Sequence, residues 1–293
     1  MPVNPASLKV AGAPISWGVS EVPGWGHQLP VDRVLADMRA LGLTATEFGP
    51  VGFLPTGPQA LADRLRAYGL HGVGGFCGVV AHDPSHDPLP RVEVFIDSCL
   101  AAGADVMVLA AVTGLEGYDA RAELDELGWK TLLANLDRLA GRAGERGVVA
   151  ALHPHLGTMV ETSSEVDRVI AGSTIGLCVD TGHLAVGGTD PVALAREHAE
   201  RVRHVHLKDV DAELAAQVAD GRLTFAEAVR AGLWVPLGQG SVDIAAMIRT
   251  LHEGGYAGWY VLEQDLMLDA EPIGRGPAAD VEKCLAFVRA ALA

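Results

Sequence analysis

Short apolar runs alternate with amphipathic stretches along almost the whole chain. The apolar runs are Lys9–Ile15, Thr44–Phe48, Gly72–Val80, Asp105–Val112, Val148–Leu152, Ile175–Val179, Val202–Leu207 and Trp259–Leu262. Their hydrophobicity is mostly continuous instead of alternating, as strands covered on both faces require. Helical spacing of apolar residues fills the intervals at Val31–Leu41, Pro58–Tyr68, Leu89–Ala102, Glu123–Glu145, Ser164–Ala171, Pro191–Glu200, Asp243–Glu253 and Asp280–Leu292. Gly42, Gly69, Gly103, Gly147 and Gly254 each end a helical stretch ahead of a strand, where a left-handed cap is expected. Eight strand–helix units without a break in composition predict an α/β fold, a single (β/α)8 TIM barrel spanning residues 1–293 as one domain. An open doubly wound sheet is the alternative, but no GxGxxG follows the first strand. The connection Asp211–Gly240 is far longer than an ordinary βα loop. It predicts an extended loop or helical insertion after the seventh strand, acting as a lid or as a subunit contact in a homo-oligomer.

Composition narrows the partners. A hydrophobic content of 49% with 20% charged residues supports a large core. The net charge of −15 and the scatter of single arginines argue against nucleic acid. Cys77, Cys99, Cys178 and Cys284 lie far apart with no CxxC pair, which suits small buried thiols in a reducing compartment. The first residues lack the charged and apolar regions of a signal peptide, and no apolar run approaches the ~18 residues of a membrane span. A cytoplasmic protein without membrane attachment is the expectation.

In a barrel, chemistry belongs at the C-terminal ends of the strands. Polar residues gather at those ends here, in Glu47-Phe-Gly-Pro50, His82-Asp83, His153-Pro-His155, Asp180-Thr-Gly-His183, His204-Val-His-Leu-Lys-Asp209 and Glu263-Gln-Asp265. Asp180, His206 and Glu263 end or follow three consecutive strands, with His153 or His155 one strand earlier. Each alone has an ordinary reading, as a turn former, a core histidine or a solvated acid. Together they suit a divalent metal ion, Mn²⁺ or Co²⁺ first, with Zn²⁺, Fe²⁺ or Mg²⁺ as alternatives. Such an ion would polarise a substrate carbonyl and stabilise an enediolate. His204 shares a face with His206 by the period of two but lies deeper, where a core role is expected.

The endings Val179-Asp-Thr-Gly-His183, His204-Val-His-Leu-Lys-Asp209 and Val261-Leu-Glu-Gln-Asp265 resemble the xylose-isomerase-like sugar isomerase and epimerase superfamily. Within it, Ala13–Gly26, His153-Pro-His-Leu-Gly-Thr158 and Leu223–Gly240 are similar to the inosose dehydratases. The resemblance covers essentially the whole chain. It implies Asp180, His206 and Glu263 as ligands and His183 as a substrate contact. It also implies dehydration of 2-keto-myo-inositol or another small keto-cyclitol or keto-sugar. Where isomerases of the superfamily carry a Glu after the fifth strand, this chain has His153, so the fourth ligand is either His153 or His155.

Abstraction of an α-proton and protonation of the departing hydroxyl would fall to Glu263, His153, His155 or Glu161. Trp17 and Trp25 can wall a ring-shaped substrate, Glu47 can contact it, and Lys208 can hold an oxyanion or pair with Asp209 or another acid. The same site would also serve a ketose or sugar-phosphate isomerase or epimerase, or a 3-keto-glycoside lyase. Endonuclease action, which the superfamily also supports, fits poorly with the acidic charge.

Overall fold

The computed structural model describes residues 8–121 and 123–291. Leu292, the expected end of the last helix, lies outside them. The barrel strands are β1 (Lys9–Gly12), β2 (Ala45–Thr46), β3 in two pieces (His71–Gly72 and Phe76–Val79), β4 (Val106–Ala111), β5 (Val149–Leu152), β6 (Gly176–Asp180), β7 (Val202–Leu207) and β8 (Trp259–Leu262). All pair in parallel, and β8 lies between β1 and β7. The helices are α1 (Val31–Ala40), α2 (Pro58–Ala67), α3 (Leu89–Ala102), α4 (Glu126–Glu145), α5 (Ser163–Gly172), α6 (Thr181–Val186), α7 (Pro191–Glu197), α8 (Ala212–Ala219), α9 (Phe225–Ala231), α10 (Ile244–Glu253) and α11 (Ala278–Ala290). None of the described helices is long and apolar enough to cross a membrane.

The sheet closes through the interrupted strand β3. On one side Val73 N donates to Thr46 O and Phe48 N to Gly74 O; on the other Val108 N donates to Gly75 O. Both neighbours are thus bonded to one run of chain, so the curled sheet is a barrel. The sequence reads Gly72–Val80 as a single strand, but the chain bends at Gly74, whose φ is +114°. A Cβ there would lie 2.2 Å from Val106 O, so only glycine lets the backbone cross this point. β1 is likewise shorter than expected. After Gly12 the chain enters a 3-10 turn, Pro14–Trp17, because Pro14 has no N–H for the ladder and its fixed φ suits a helical turn. The left-handed residue after α10 is Gly255 (φ +80°), whereas Gly254 keeps φ −73°.

The main core lies between the barrel and its helices, around Val34, Leu35, Met38, Ile96, Leu132, Leu136 and Ile248. Smaller groups (Ala11, Ala13, Ala45, Val73 and Val261; Val106, Val108, Ala151 and Cys178) include residues in register with His204 and His206. Their small side chains leave room for the polar residues at the strand ends.

The insertion after β7 is helical, as the long connection implies. Asp211 caps α8 by accepting from Glu213 N and Leu214 N, and α9 opens with a Thr224–Glu227 capping box. Trp234–Val235 then returns antiparallel to Asp209–Val210. The Asp209 carboxylate fastens that return by accepting from Gly238 N, Gly240 N and Val242 N. Phe225, Val229, Leu233 and Trp234 pack against Trp25, Leu156 and Val186 over the C-terminal end of the barrel.

Replacing Gly74 by Ala is expected to destabilise the protein by at least about 2 kcal/mol in urea unfolding, from a forced left-handed conformation and a backbone clash. An unchanged midpoint would mean that barrel closure does not depend on this bend.

Candidate active site at the C-terminal end of the barrel

Asp180 is the last residue of β6 and the N-cap of α6. Its Oδ1 accepts from Gly182 N and His183 N, both at 2.8 Å. That cap consumes one carboxylate oxygen and leaves Oδ2 buried with no hydrogen-bond partner. Gly182 is required by close approach, since a Cβ would meet the Trp234 ring at 2.6 Å and the Lys208 stem at 2.7 Å. His206 stands beside Asp180 in register on β7 and places Nδ1 3.5 Å from Asp180 Oδ2 and 2.9 Å from Glu263 Oε2. Its Nε2 donates to Glu47 Oε1 at 2.9 Å, and His204 Nε2 donates to the same oxygen at 2.8 Å. His153, after β5, has Nε2 3.4 Å from Asp180 Oδ2, and neither ring nitrogen has a hydrogen-bond partner.

Lys208 is completely buried. Its Nζ donates to Glu263 Oε1 (2.8 Å), Asp265 Oδ1 (2.9 Å) and His183 Nε2 (3.0 Å), and lies over the Trp234 ring at 4.8 Å. Asp209, on the other side of the strand, is engaged in the insertion, so the acids paired with Lys208 are Glu263, Asp265 and, at 3.4 Å, Asp180 Oδ2. Burial opposes its charge, but Asp180, Asp265 and Glu263 hold it protonated well above its ordinary range. Against burial, His206 and Lys208 keep Glu263 ionised, while His206 and His204 hold Glu47 down to about 2. Asp180 is likewise lowered, chiefly by Lys208 and His183. His206 is raised despite burial by Cys178, Glu263 and Glu47. Burial and its cationic neighbourhood keep His183 neutral, and burial does the same for His153. Asp265 is the exception among the acids, pushed up to about 7 by burial and Glu263 against the pull of Lys208.

A cavity of about 290 Å³ opens onto this cluster. Its polar end is made by Glu47, His153, His155, His206, Glu263 and Asp265, and its walls by Ile15, Val19, Trp25, Phe76, Val112, Tyr118 and Phe225, with Arg91 and Glu21 among the lining residues. His155 faces it with Nδ1 donating to Leu156 O at 2.6 Å, and stacks on His183 at 3.7 Å between ring centres. Burial, His153 and Lys208 push His155 down to about 3.

The structure therefore brings together Asp180, His206, Glu263 and His153, with His155, Glu47 and Trp25 on the cavity wall. It places other expected residues elsewhere. Trp17 is fully buried beneath the 3-10 turn, with its indole N–H on Asp37 Oδ2, and does not line the cavity. Glu161 turns away to accept from Gly157 N and pair with Arg121. His183 and Lys208 stand behind the cavity wall instead of on it. Asp265, Tyr118 and Phe225 were not singled out from the sequence. Asp265 carries a usable signal, the same i, i+2 spacing from Glu263 that links His204 to His206. Phe225 and Tyr118 carry none, since a single aromatic is ordinarily core.

Asp180 Oδ2, His206 Nδ1 and Glu263 Oε2, with His153 Nε2 beside Asp180, face one another at 2.9–3.5 Å. One ligand atom each from Asp180, His206 and Glu263 falls within 4.8 Å of the others, and so do atoms of His153, Asp180 and His183. Two imidazoles and two carboxylates that share too few hydrogens are a donor set that a divalent cation satisfies.

The family description "Xylose isomerase-like TIM barrel" matches residues 35–290. The chain belongs to that family. Among curated relatives, the rhizopine catabolism protein MocC of Rhizobium meliloti is 36% identical over 88% of this chain and 82% of its own length. The inosose dehydratase of Geobacillus kaustophilus is 32% identical over 90% of this chain and 88% of its own. Solved structures with the same fold include the IOLI protein with a binding zinc atom (TM-score 0.71, 14% identity, 97% of this chain and 98% of that one). L-ribulose 3-epimerase is another (TM-score 0.68, 18% identity, 97% and 94%).

Lys208→Met would leave Glu263, Asp265 and Asp180 without their buried cation. A loss of about 3–5 kcal/mol is expected at pH 8. The penalty should shrink toward pH 4, because protonation removes the uncompensated charge. A loss independent of pH would assign Lys208 to packing alone.

Proposed function

We propose that this chain is a hydro-lyase that removes water from 2-keto-myo-inositol or a close keto-cyclitol, using a divalent metal ion held by His153, Asp180, His206 and Glu263. The observation that carries the reading is the convergence of those four side chains, three of them (His153, His206 and Glu263) lining a cavity sized for a small ring and Asp180 directly behind, within 3.5 Å of both imidazoles. The name borne by relatives such as the Geobacillus enzyme, over nearly the full length of both chains, supports the reaction class. A bound ion supplies Lewis acidity toward the substrate ketone, which makes the neighbouring C–H acidic enough to lose its proton near neutral pH.

The chain's own residues then divide the proton transfers. His155 donates through Nδ1 to Leu156 O, so its Nε2 carries a lone pair, and the ring stays unprotonated at neutral pH. In this reading it takes the α-proton. The C–H electrons form the new C=C bond, and the β C–O bond breaks. Asp265, on the cavity wall and held near neutrality, gives the departing hydroxyl its proton, so that it leaves as water. Behind Asp265, Lys208 anchors Oδ1 and fixes its direction. Trp25, Phe76, Tyr118 and Phe225 supply an apolar enclosure that limits water around the reacting ring.

Asp180→Ala and His206→Ala are each expected to abolish formation of the conjugated dione chromophore from 2-keto-myo-inositol and to lose bound metal. His155→Gln should lower kcat by about 10²–10⁴-fold while leaving metal content unchanged. Full turnover by chelator-stripped protein would defeat the metal reading, and epimerised product of unchanged mass would replace the dehydratase assignment by an epimerase.

A further inference from the structure

Glu47 lines the cavity and would ordinarily be taken for a substrate ligand, yet its strongest contacts point the other way. It follows β2 directly and is 5% exposed. A single oxygen, Oε1, accepts from His204 Nε2 at 2.8 Å and from His206 Nε2 at 2.9 Å. To donate there, each ring must carry a hydrogen on Nε2. For His206 this has a consequence at the far side of the ring, because Nδ1 is the atom facing Asp180 Oδ2 and Glu263 Oε2. A cation at Nδ1 displaces whatever hydrogen is there and leaves Nε2–H on Glu47. The opposite tautomer would set an Nε2 lone pair against a buried carboxylate and occupy Nδ1 with a hydrogen.

We infer that Glu47 is a positioning residue that fixes the tautomer and ring angle of His206 for a metal ion, with His204 bracing the carboxylate from the layer below. The inference rests on the metal-site assignment under Proposed function and extends it to residues that do not touch the ion. It completes a pattern in the site. Asp180 has one oxygen held by the α6 backbone, Glu263 has one held by Lys208, and His206 has one nitrogen held by Glu47. Each side chain has one further atom outside these contacts, and those atoms face one another at 2.9–3.5 Å. Orienting partners of this kind commonly change metal affinity by about 10–100-fold when removed. His204 also acquires a reason to be polar: it is the second donor that keeps Glu47 Oε1 aimed between the two rings.

Titration with Co²⁺, followed by its visible absorption, tests this. Glu47→Ala is expected to weaken Co²⁺ binding about 10–100-fold, and Glu47→Gln less, because an amide oxygen still accepts from both imidazoles. At saturating Co²⁺, KM for the keto-cyclitol should change little. Wild-type Co²⁺ affinity in Glu47→Ala overturns the inference, and a raised KM with that affinity assigns Glu47 to the substrate. His206→Ala is the control. Undiminished Co²⁺ binding there overturns the site assignment itself, and the role of Glu47 with it. Should Glu47→Ala fail to fold, imidazole ¹⁵N shifts of the wild-type protein loaded with Zn²⁺ decide. A retained Nε2–H on His206 supports the positioning role, and Nε2 bound to the ion overturns it.

Discussion

Besides Asp209, which fastens the insertion, four carboxyl groups and one lysine are buried at one end of this barrel, and the surrounding structure is arranged around their compensation. Glu47, Asp180, Glu263 and Asp265 are each at most 9% exposed, and Lys208 is fully enclosed. An unpaired buried charge costs several kcal/mol, so each must find a counter-charge or a set of donors. Lys208 serves Glu263 and Asp265, the start of α6 together with Lys208 serves Asp180, and the two β7 imidazoles serve Glu47. After this pairing, one oxygen of Asp180, 3.4 Å from Lys208 Nζ, and both ring nitrogens of His153 still lack a hydrogen bond. A divalent cation held as proposed would take up Asp180 Oδ2 and one nitrogen of His153.

The barrel supplies the geometry. Parallel strands in register bring Asp180 beside His206, and β8, with Val261 opposite His206, sets Glu263 two residues further toward the rim. The insertion after β7 adds what strands cannot, an apolar cover. Phe225 sits about 6 Å from Trp25, Tyr118 and His155 between ring centres, and α9 is tied to the loop after β4 by Ala226 N donating to Asp119. The loops after β1, β4 and β7 thus meet over one cavity, so enclosure depends on three distant parts of the chain.

Much of this was legible in the sequence because it rests on local periodicity. Continuous apolar runs mark covered strands, and metal-competent polar residues gather at their C-terminal ends. The i, i+2 rule placed His204 and His206 on one face. The bend at Gly74 was not legible, since its cause is the distant Val106 carbonyl. Trp17 and Glu161 were expected near substrate from their position after a strand. Rotation of the 3-10 turn sends the first into the core, and Arg121 with Gly157 draws the second away. Lys208 follows His206 by two residues and so shares its side of the strand, but nothing local announces that Glu263 and Asp265 hold it behind the cavity wall. The two imidazole partners of Glu47 lie 157 and 159 residues away, and no local pattern announces them.

X-ray absorption of the protein loaded with one equivalent of Co²⁺ tests the central claim most directly. A light-atom shell with the outer scattering of two imidazoles, from His153 and His206, and no sulfur is the predicted result. Cys178 offers an atom within 4.8 Å of one on each of those histidines, so the distinction is a real one. A sulfur scatterer, or a shell lacking imidazole, would contradict the assignment of the ion to His153, Asp180, His206 and Glu263.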